Sequence, residues 1–286
     1  MKHLVTHIQP HLDDIVGVWL MKKYNHEFHD AEVTFTEVTA EGGECLGDGP
    51  VDDDPDYVHI GVCRGKFDEH AGKDPNILES ATTLVWKYLI EQDLLPDDEF
   101  EQKAIESLVQ YVLQEDTGKL RGEALAEFTA GAVIQGMNLF DEKDKNVLSH
   151  QMYDNGVSII EPLLLMRREA ARLEKDWESR TDFESPWGKA AALVTSSAEA
   201  DNYAYAHDYV LVVIVNPDKE YRNIRASANS DVDLTNVHAE LEKIDPEAEW
   251  YLHQSKKLLI CGHDIAPSTK LSKTPLEKLI ELVKKG

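Results

Sequence analysis

The stretch KHLVTHIQPHLDDIVGVWLMKKY, residues 2–24, combines a predicted strand, a histidine-rich loop and a predicted helix. KHLVTH is typical of a short strand, and LDDIVGVWLMKKY has apolar residues at helical spacing after an acidic start. Between the two, His7, His11 and two aspartates follow the strand directly. Open α/β sheets bind their ligands at this end of a strand. We therefore expect His7, His11 and Asp13 to converge on one point.

Imidazole nitrogens and carboxylate oxygens suit manganese, zinc or iron better than calcium. A metal site is therefore one interpretation of residues 7–14. The other interpretation is that both histidines lie on a surface loop and that Asp13 and Asp14 only favour the start of a helix. Residues 7–14 alone leave both interpretations open.

The rest of the N-terminal half predicts alternating strands and helices. AEVTFTEV (31–38) and DYVHIGV (56–62) are typical of strands, and residues 77–92 and 98–114 have the pattern of amphipathic helices. Such alternation indicates an α/β fold, with a mostly parallel sheet flanked by helices.

The C-terminal part predicts a second, smaller α/β domain. A long helix is expected over residues 157–180, with Asn155-Gly156 as a tight turn or the start of that helix. The polar segment after it predicts a domain boundary. We therefore expect a metal-binding domain over 1–180 and a substrate-binding domain over 186–286, with the active site in the cleft. NPDKEY, from Asn216 to Tyr221, predicts a hairpin turn.

Composition restricts the partners. The chain has 286 residues and a formal net charge of -25, which disfavours long nucleic acid because phosphate binding depends on Lys and Arg. Its three cysteines lack paired spacing and predict neither a disulfide framework nor a cysteine-based zinc site. The sequence shows neither a membrane span nor a signal peptide. A cytoplasmic protein without a membrane partner is therefore expected.

Two further groups of metal-competent residues come later in the chain. FDEH, residues 67–70, follows the third predicted strand, in which His59 lies. EDTG, residues 115–118, places Asp116 at the end of a predicted helix. Taken singly, His59 fits a packed core residue and Asp116 fits a helix-ending turn.

In this order, the motifs resemble the DHH phosphoesterase superfamily, and most of all its melanocyte-proliferating-gene family. THIQPHLDD (6–14) is similar to the family's opening THxxxxHxDE, and FDEH is similar to its YDHH or FDHH box. His59-Ile60-Gly61 corresponds to an Asp-Val-Gly-like turn. KKLLICGHD (256–264) is similar to a glycine-rich GGH box, reduced here to Gly262-His263. The likeness spans most of the chain in short, partly altered motifs.

The resemblance implies a two-metal site. The implied ligands are His7, His11 and His59 for one metal, and Asp13, Glu69 and Asp116 for the other. His59 stands where the family has a metal-bridging aspartate, and Glu69 stands where it has a histidine. We therefore expect a rearranged site that holds one or two ions. Mn²⁺ is the expected ion, with Mg²⁺ and Zn²⁺ as alternatives.

The resemblance also implies hydrolysis at phosphorus, because metals about 3.5–4 Å apart can clamp the attacking and leaving oxygens. His70 and Asp68 would be catalytic, with His70 as the general acid. The implied contacts to substrate phosphate are Gly262, His263 and Lys270. A nucleotide or short oligonucleotide, cleaved in a 3′-to-5′ exonuclease-like reaction, fits the acidic chain better than a long polymer. A homodimer is a further expectation.

Two other functions remain open. PHLDD (10–14) also resembles the PHPDD box of zinc-dependent sugar N-deacetylases, which implies zinc on His11 and Asp14 with Asp13 as the general base. That fold expects a later His-x-x-His pair on a helix, and the histidines at positions 150, 207, 238, 253 and 263 include no such pair. The residues at positions 59 and 69 also fit a non-catalytic protein that binds a nucleotide or a metal.

Overall fold

The structure, a computed structural model, describes residues 1–38, 45–71 and 78–286. The chain forms two compact units, Met1–Arg168 and Glu169–Gly286. Each unit has a hydrophobic core of its own. Both units are α/β, in agreement with the predicted class.

The first unit contains a parallel three-stranded sheet in the order β2-β1-β3. Its strands are β1 (His3–His7), β2 (Glu32–Thr36) and β3 (Tyr57–His59). Its helices are α1 (Leu12–Tyr24), α2 (Ala81–Glu91), α3 (Glu99–Asp116), α4 (Ala130–Gly136) and the start of α5 (Lys145–Trp177). Short 3₁₀ helices lie at His26–Phe28, Ala126–Phe128 and Met137–Leu139. No helix in the described ranges is both long and apolar enough to cross a membrane.

Helix α1 packs on the sheet and fixes the position of the loop before it. Leu4 on β1 and the fully buried Ile15 and Leu20 on α1 belong to one apolar core. Gly17 allows close approach at this contact, since a Cβ there would lie 2.8 Å from Ile60 Cγ2. The loop that carries His11 is therefore held at the carboxyl end of β1.

The second unit contains a mixed six-stranded sheet in the order β4-β5-β6-β7-β9-β8. Its strands are β4 (Thr181–Ser185), β5 (Gly188–Val194), β6 (Leu211–Val215), β7 (Arg222–Ala226), β8 (Tyr251–Leu252) and β9 (Leu258–Cys261). Its helices are α6 (Ala200–Ala206), α7 (Thr235–Ile244) and α8 (Leu276–Val283). The predicted hairpin between β6 and β7 is confirmed, and the Asn216 N–H donates to the Tyr221 carbonyl at 2.9 Å.

The long helix differs from its prediction. Helix α5 begins at Lys145, so Asn155 and Gly156 lie inside it rather than in a turn. A Cβ at Gly156 would lie 2.9 Å from Ile15 Cγ2, so this glycine serves the packing of α5 against α1. Pro162, expected in the first turns, lies well inside the helix.

The division between the units also differs from the expected boundary. It falls between Arg168 and Glu169, inside α5, because this helix contributes to both units. Residues Thr181–Ser185, expected to be part of a linker, instead form β4 and pair antiparallel with β5. The polar side chains of β4 are those of an edge strand, which pairs on one side only.

Candidate metal centre

A cavity of about 1070 Å³ lies in the first unit, beyond the carboxyl ends of β1 and β3. Its walls come from the β1–α1 loop, the segment after β3 and the end of α3. The metal-competent residues that line it are His7, His11, Asp13, Asp14, Glu37, Asp68, Glu69, His70 and Asp116. Parallel strands therefore bring three distant parts of the chain to one edge of the sheet.

The first cluster consists of His7, His11 and Asp14, whose ligand atoms lie within 4.8 Å of one another. His7 Nε2 is 2.8 Å from Asp14 Oδ2, and the His11 backbone N–H donates to the same oxygen at 2.9 Å. Thr6 Oγ1 donates to the other oxygen at 3.3 Å. Asp14 is buried, so this carboxylate is fixed in position.

The imidazole of His7 has the arrangement of a metal ligand. Its Nδ1 lies 2.7 Å from the Ile8 carbonyl, which can only accept, so Nδ1 carries a hydrogen. Metal-binding histidines commonly donate their second ring N–H in this way. Burial alone would lower the pKa of His7, but the charge and hydrogen bond of Asp14 outweigh it and raise the pKa to about 9. Loss of that proton frees Nε2 for a cation.

The second cluster consists of Asp13, Glu69 and Asp116, again with ligand atoms within 4.8 Å of one another. Asp13 accepts hydrogen bonds from the backbone N–H groups of Ala81 at 2.8 Å and Thr82 at 3.0 Å, which begin helix α2. Burial and then the charge of Asp14 raise the pKa of Asp13 to about 7 despite these bonds. Burial is also the main cause that raises the pKa of Glu69 and of Asp116.

Asp14 belongs to the first cluster and interacts electrostatically with the second. It contacts His7 in the first cluster, and its charge contributes to the raised pKa of Asp13, Glu69 and Asp116. Glycine is required opposite it, because Gly61 has a φ of +66° and a Cβ there would overlap Asp14 Oδ1. The two-metal prediction did not include Asp14. The available signal was the PHLDD box, from which the deacetylase interpretation names it.

These donors fit a divalent cation. Within the described ranges, no Lys or Arg forms an ion pair with Asp13, Asp14, Glu69 or Asp116. The Oε2 atom of Glu69 is buried and has no hydrogen-bond partner there. Crowded, buried carboxylates disfavour ionisation unless a positive charge is close. Two histidines and four carboxylates are a donor set suited to Mn²⁺, Zn²⁺ or Mg²⁺.

Asp68 and His70 form a third group beside the second cluster. The buried Asp68 accepts from the backbone N–H groups of Arg64 at 2.6 Å and His70 at 2.9 Å. His70 Nδ1 lies 3.2 Å from Asp68 Oδ1 and 3.3 Å from Glu69 Oε1. Both neighbours are carboxylates, so Nδ1 carries a hydrogen. Since the His70 side chain is 76% exposed, its Nε2 is free to meet a ligand in the cavity.

His59, an expected ligand, is not part of either cluster and is not among the residues that line the cavity. It is 1% exposed and pairs across the sheet with Val5, which belongs to an apolar cluster with Val62 and Cys63. Neither ring nitrogen makes a hydrogen bond of standard geometry among the described residues, and burial lowers the pKa of His59 against the charge of Asp52. The segment near Asp52 covers this part of the strand, so the side chain is enclosed before the sheet edge is reached.

The three predicted phosphate contacts lie in the second unit and are not together. Gly262 and His263 line a cavity of about 150 Å³ with Arg225. Gly262 has a φ of +95°, and a Cβ there would overlap the ring of Tyr221. Lys270 is not among the residues that line this cavity; its backbone N–H donates to a Glu249 carboxylate oxygen at 3.2 Å. Arg225 was not among the phosphate contacts expected from the sequence.

No family model and no curated protein sequence matches this chain. Among solved structures, the chain is similar to RecJ in complex with Mg²⁺ from Thermus thermophilus, at 12% identity and a TM-score of 0.32. The alignment covers 99% of this chain and 49% of RecJ, so the chain spans about half the length of that protein. A likeness at this level establishes neither the fold nor the function of this chain.

Proposed function

We propose that the first unit is a divalent-metal-dependent phosphohydrolase that acts on a phosphodiester or a nucleotide. One observation carries this proposal: two clusters of metal-competent side chains, one of histidines and Asp14 and one of carboxylates, line a single cavity. Adjacent metal sites of this kind suit in-line displacement at phosphorus, in which an attacking and a leaving oxygen must be stabilised together.

The proposed ligands are divided between the two clusters. One cation would be held by His7, His11 and Asp14, and the other by Asp13, Glu69 and Asp116. Asp14 would supply the bridging carboxylate that the resembled family has at position 59. Asp14 lines the same cavity as the second cluster, and its charge contributes to the raised pKa of Asp13, Glu69 and Asp116, which supports this role.

Bound divalent ions would lower the pKa of water and neutralise charge on the phosphoryl oxygens. The chain's own residues would orient and protonate the substrate. Asp68 fixes Nδ1–H of His70, so Nε2 of His70 would donate a proton to the leaving oxygen. The two N–H groups of α2 hold Asp13 in place and keep its carboxylate from turning away from the cavity.

A short substrate fits this cavity. Arg64 and Lys145 are the lysine and arginine residues that line it within the described ranges. A long nucleic acid needs many such cations along its path. A dinucleotide, a short oligonucleotide or a nucleoside phosphate needs few beyond the metals, and Mn²⁺ is the cation that we propose.

A second candidate, a zinc-dependent sugar N-deacetylase, is favoured by one observation. His11 and Asp14, the ligands expected from the PHLDD box, lie in one cluster, and His7 could replace the missing later histidine. Against it, both oxygens of Asp13 accept backbone hydrogen bonds, which weakens this carboxylate as a general base. This candidate also leaves Asp68 and His70 without a role.

The test is turnover by the full chain with Mn²⁺, Mg²⁺ or Zn²⁺. We expect Mn²⁺-dependent release of mononucleotide from a dinucleotide, and an anomalous difference map at the manganese edge with two ions near Asp14. Acetate released from N-acetylglucosamine, with one ion on His11, would establish the deacetylase. Binding of the dinucleotide and Mn²⁺ without any turnover would establish a non-catalytic binding protein.

A further inference from the structure

A second cavity, of about 330 Å³, shares a wall with the metal centre. Four residues line both cavities: His11, Asp13, Asp116 and Gln135. The other sides include the apolar residues Leu12, Val112, Leu120 and Ala126. A ligand held at the metals therefore has a neighbouring chamber with apolar walls into which one of its groups can extend.

Glu115 lines this chamber and has one buried carboxylate oxygen that lacks a hydrogen-bond partner among the described residues. Thr129 Oγ1 donates to Glu115 Oε1 at 3.0 Å, and the Tyr111 hydroxyl also bonds to this carboxylate. Gly131 leaves room for it, since a Cβ there would overlap Glu115 Oε1. The second oxygen, Oε2, is buried and has no hydrogen-bond partner among the described residues. Thr129 and Tyr111 thus hold the Glu115 carboxylate in place.

Gln135 also lines this chamber, and its side-chain amide carries a buried donor. Asn138 Nδ2 donates to Gln135 Oε1 at 3.1 Å, and Gln9 Nε2 donates to Asn138 Oδ1 at 2.6 Å. This chain of amides sets the orientation of the Gln135 side chain. Its Nε2 is left buried without a partner in the described structure.

We propose that this chamber binds the nucleobase of the substrate's terminal nucleotide, with Glu115 and Gln135 as the residues that read its edge. The proposal rests on the proposed phosphohydrolase function. Every Watson–Crick edge offers both an N–H donor and an acceptor, which match Glu115 Oε2 and Gln135 Nε2, and enzymes read unstacked bases through this edge. A base has two apolar faces for the apolar walls. Buried polar groups left unpaired select strongly for ligands that satisfy them.

The size of the chamber also limits how much of the substrate it can hold. A chamber of about 330 Å³ accommodates one base but not two stacked nucleotides, and it adjoins the residues that would hold the scissile phosphate. Cleavage would therefore release one mononucleotide from the end of a short strand.

Binding of mononucleotides tests the proposal without turnover. Calorimetry of the full chain with Mn²⁺ would compare AMP, GMP, CMP and UMP with ribose 5-phosphate, which lacks the base. We expect the best nucleotide to bind at least about tenfold more tightly than ribose 5-phosphate. Glu115→Gln keeps an oxygen for Thr129 but removes the second acceptor, and Gln135→Met removes the donor. Each should reduce the preference to below about threefold.

Glu127→Gln is the matched control, because Glu127 is exposed beside the chamber and lies outside its lining. It should retain the full preference. A wild-type preference below about threefold, or a preference that survives in both Glu115→Gln and Gln135→Met, would overturn the proposal. Thermal unfolding of each variant identifies one that fails to fold, and the other then decides. Absence of dinucleotide hydrolysis by the wild type would refute the phosphohydrolase function separately.

Discussion

The pKa values of the carboxylates at the metal centre are shifted in the opposite direction from those of lysine-paired carboxylates in the second unit. In the first, burial is the main cause that raises the pKa of Asp13, Glu69 and Asp116. In the second, exposed carboxylates pair with lysines, as in Asp233–Lys256, Glu240–Lys243 and Asp264–Lys219. Hydrogen bonds from these lysines lower the pKa of each acid, and that of Asp233 falls to about 2.

The chain has a net charge of -25, and its negative charges differ in whether a lysine or arginine pairs with them. Surface pairs in the second unit are satisfied by the chain's own lysines. In the two clusters, histidines lie beside the carboxylates, but no lysine or arginine forms an ion pair with these carboxylates among the described residues. Crowded carboxylates of this kind are favoured only when a positive charge joins them. A divalent cation from solution would supply the positive charge that these carboxylates lack.

Replacing Asp14 should have the largest effect. Asp14→Asn keeps the shape of the side chain but removes the charge that the two clusters share. Metal affinity and Mn²⁺-dependent hydrolysis should each fall at least about 100-fold, the upper end of the loss seen for groups that only orient a ligand. Calorimetry with Mn²⁺ and initial rates with a dinucleotide measure the two quantities.

Asp264→Asn is the control for this change, because it removes the same charge from a lysine-paired carboxylate in the second unit. Metal affinity should stay within about twofold of the wild type. Equal losses in Asp14→Asn and Asp264→Asn would mean that overall charge, and not the cavity, governs cation binding.

Mn²⁺ should stabilise the first unit selectively. At about 100 times its dissociation constant, a ligand of the folded state adds about 2.7 kcal/mol, which corresponds to a rise in Tm of about 5–10 °C. Calorimetric scans with and without Mn²⁺ give the shift, and hydrogen exchange assigns it to a unit. Protection confined to Glu169–Gly286 would contradict a metal centre in the first unit.

Metal affinity should increase with pH. Asp13, with a pKa of about 7, and His7, with a pKa of about 9, must lose a proton before they bind a cation. Protons therefore compete with each cation, and the affinity of each cluster should rise by up to about tenfold per pH unit, up to about pH 7 for the cluster with Asp13 and up to about pH 9 for the cluster with His7. Calorimetry in buffers of different ionisation enthalpy should detect the released protons.

The same pKa values set the opposite trend in the metal-free protein. Folding raises the pKa of His7 and Asp13, so the folded state binds these protons more tightly than the unfolded state. The contribution of these two groups to the free energy of unfolding is therefore largest at low pH. It is lost as pH rises through about 7 for Asp13 and through about 9 for His7. The increase in Tm caused by Mn²⁺ should therefore grow with pH, and a gain that shrinks would contradict this assignment.

Local patterns in the sequence were sufficient for much of the fold. Alternation and turn residues predicted β1, α1 and the hairpin at Asn216, because these features depend on neighbours along the chain. Asn155-Gly156 was interpreted wrongly as a turn or helix start. The reason for Gly156 is the close approach of Ile15 from another helix, a tertiary contact that a local pattern does not contain.

Motif order led to a candidate site, and strand position decides which of its residues line one cavity. His7, His11, Asp13, Glu69 and Asp116 line one cavity because parallel strands end at the same edge. Whether a residue near a strand end reaches that edge depends on the register and on the covering segment. Those two features exclude His59 and admit Asp14 from the adjoining helix.

Replacing His59 should have the smallest effect on metal binding. His59→Phe keeps a ring in the apolar cluster near Val5 and removes two nitrogens that have no partner among the described residues. Since His59 lies outside both clusters, Mn²⁺ affinity should change by less than about twofold, against at least about 100-fold for Asp14→Asn. Calorimetry on the two variants, each with its thermal unfolding recorded, makes the comparison direct. A tenfold or greater loss in a folded His59→Phe protein would restore His59 as a ligand and would mean that the segment near Asp52 moves aside when the cation binds.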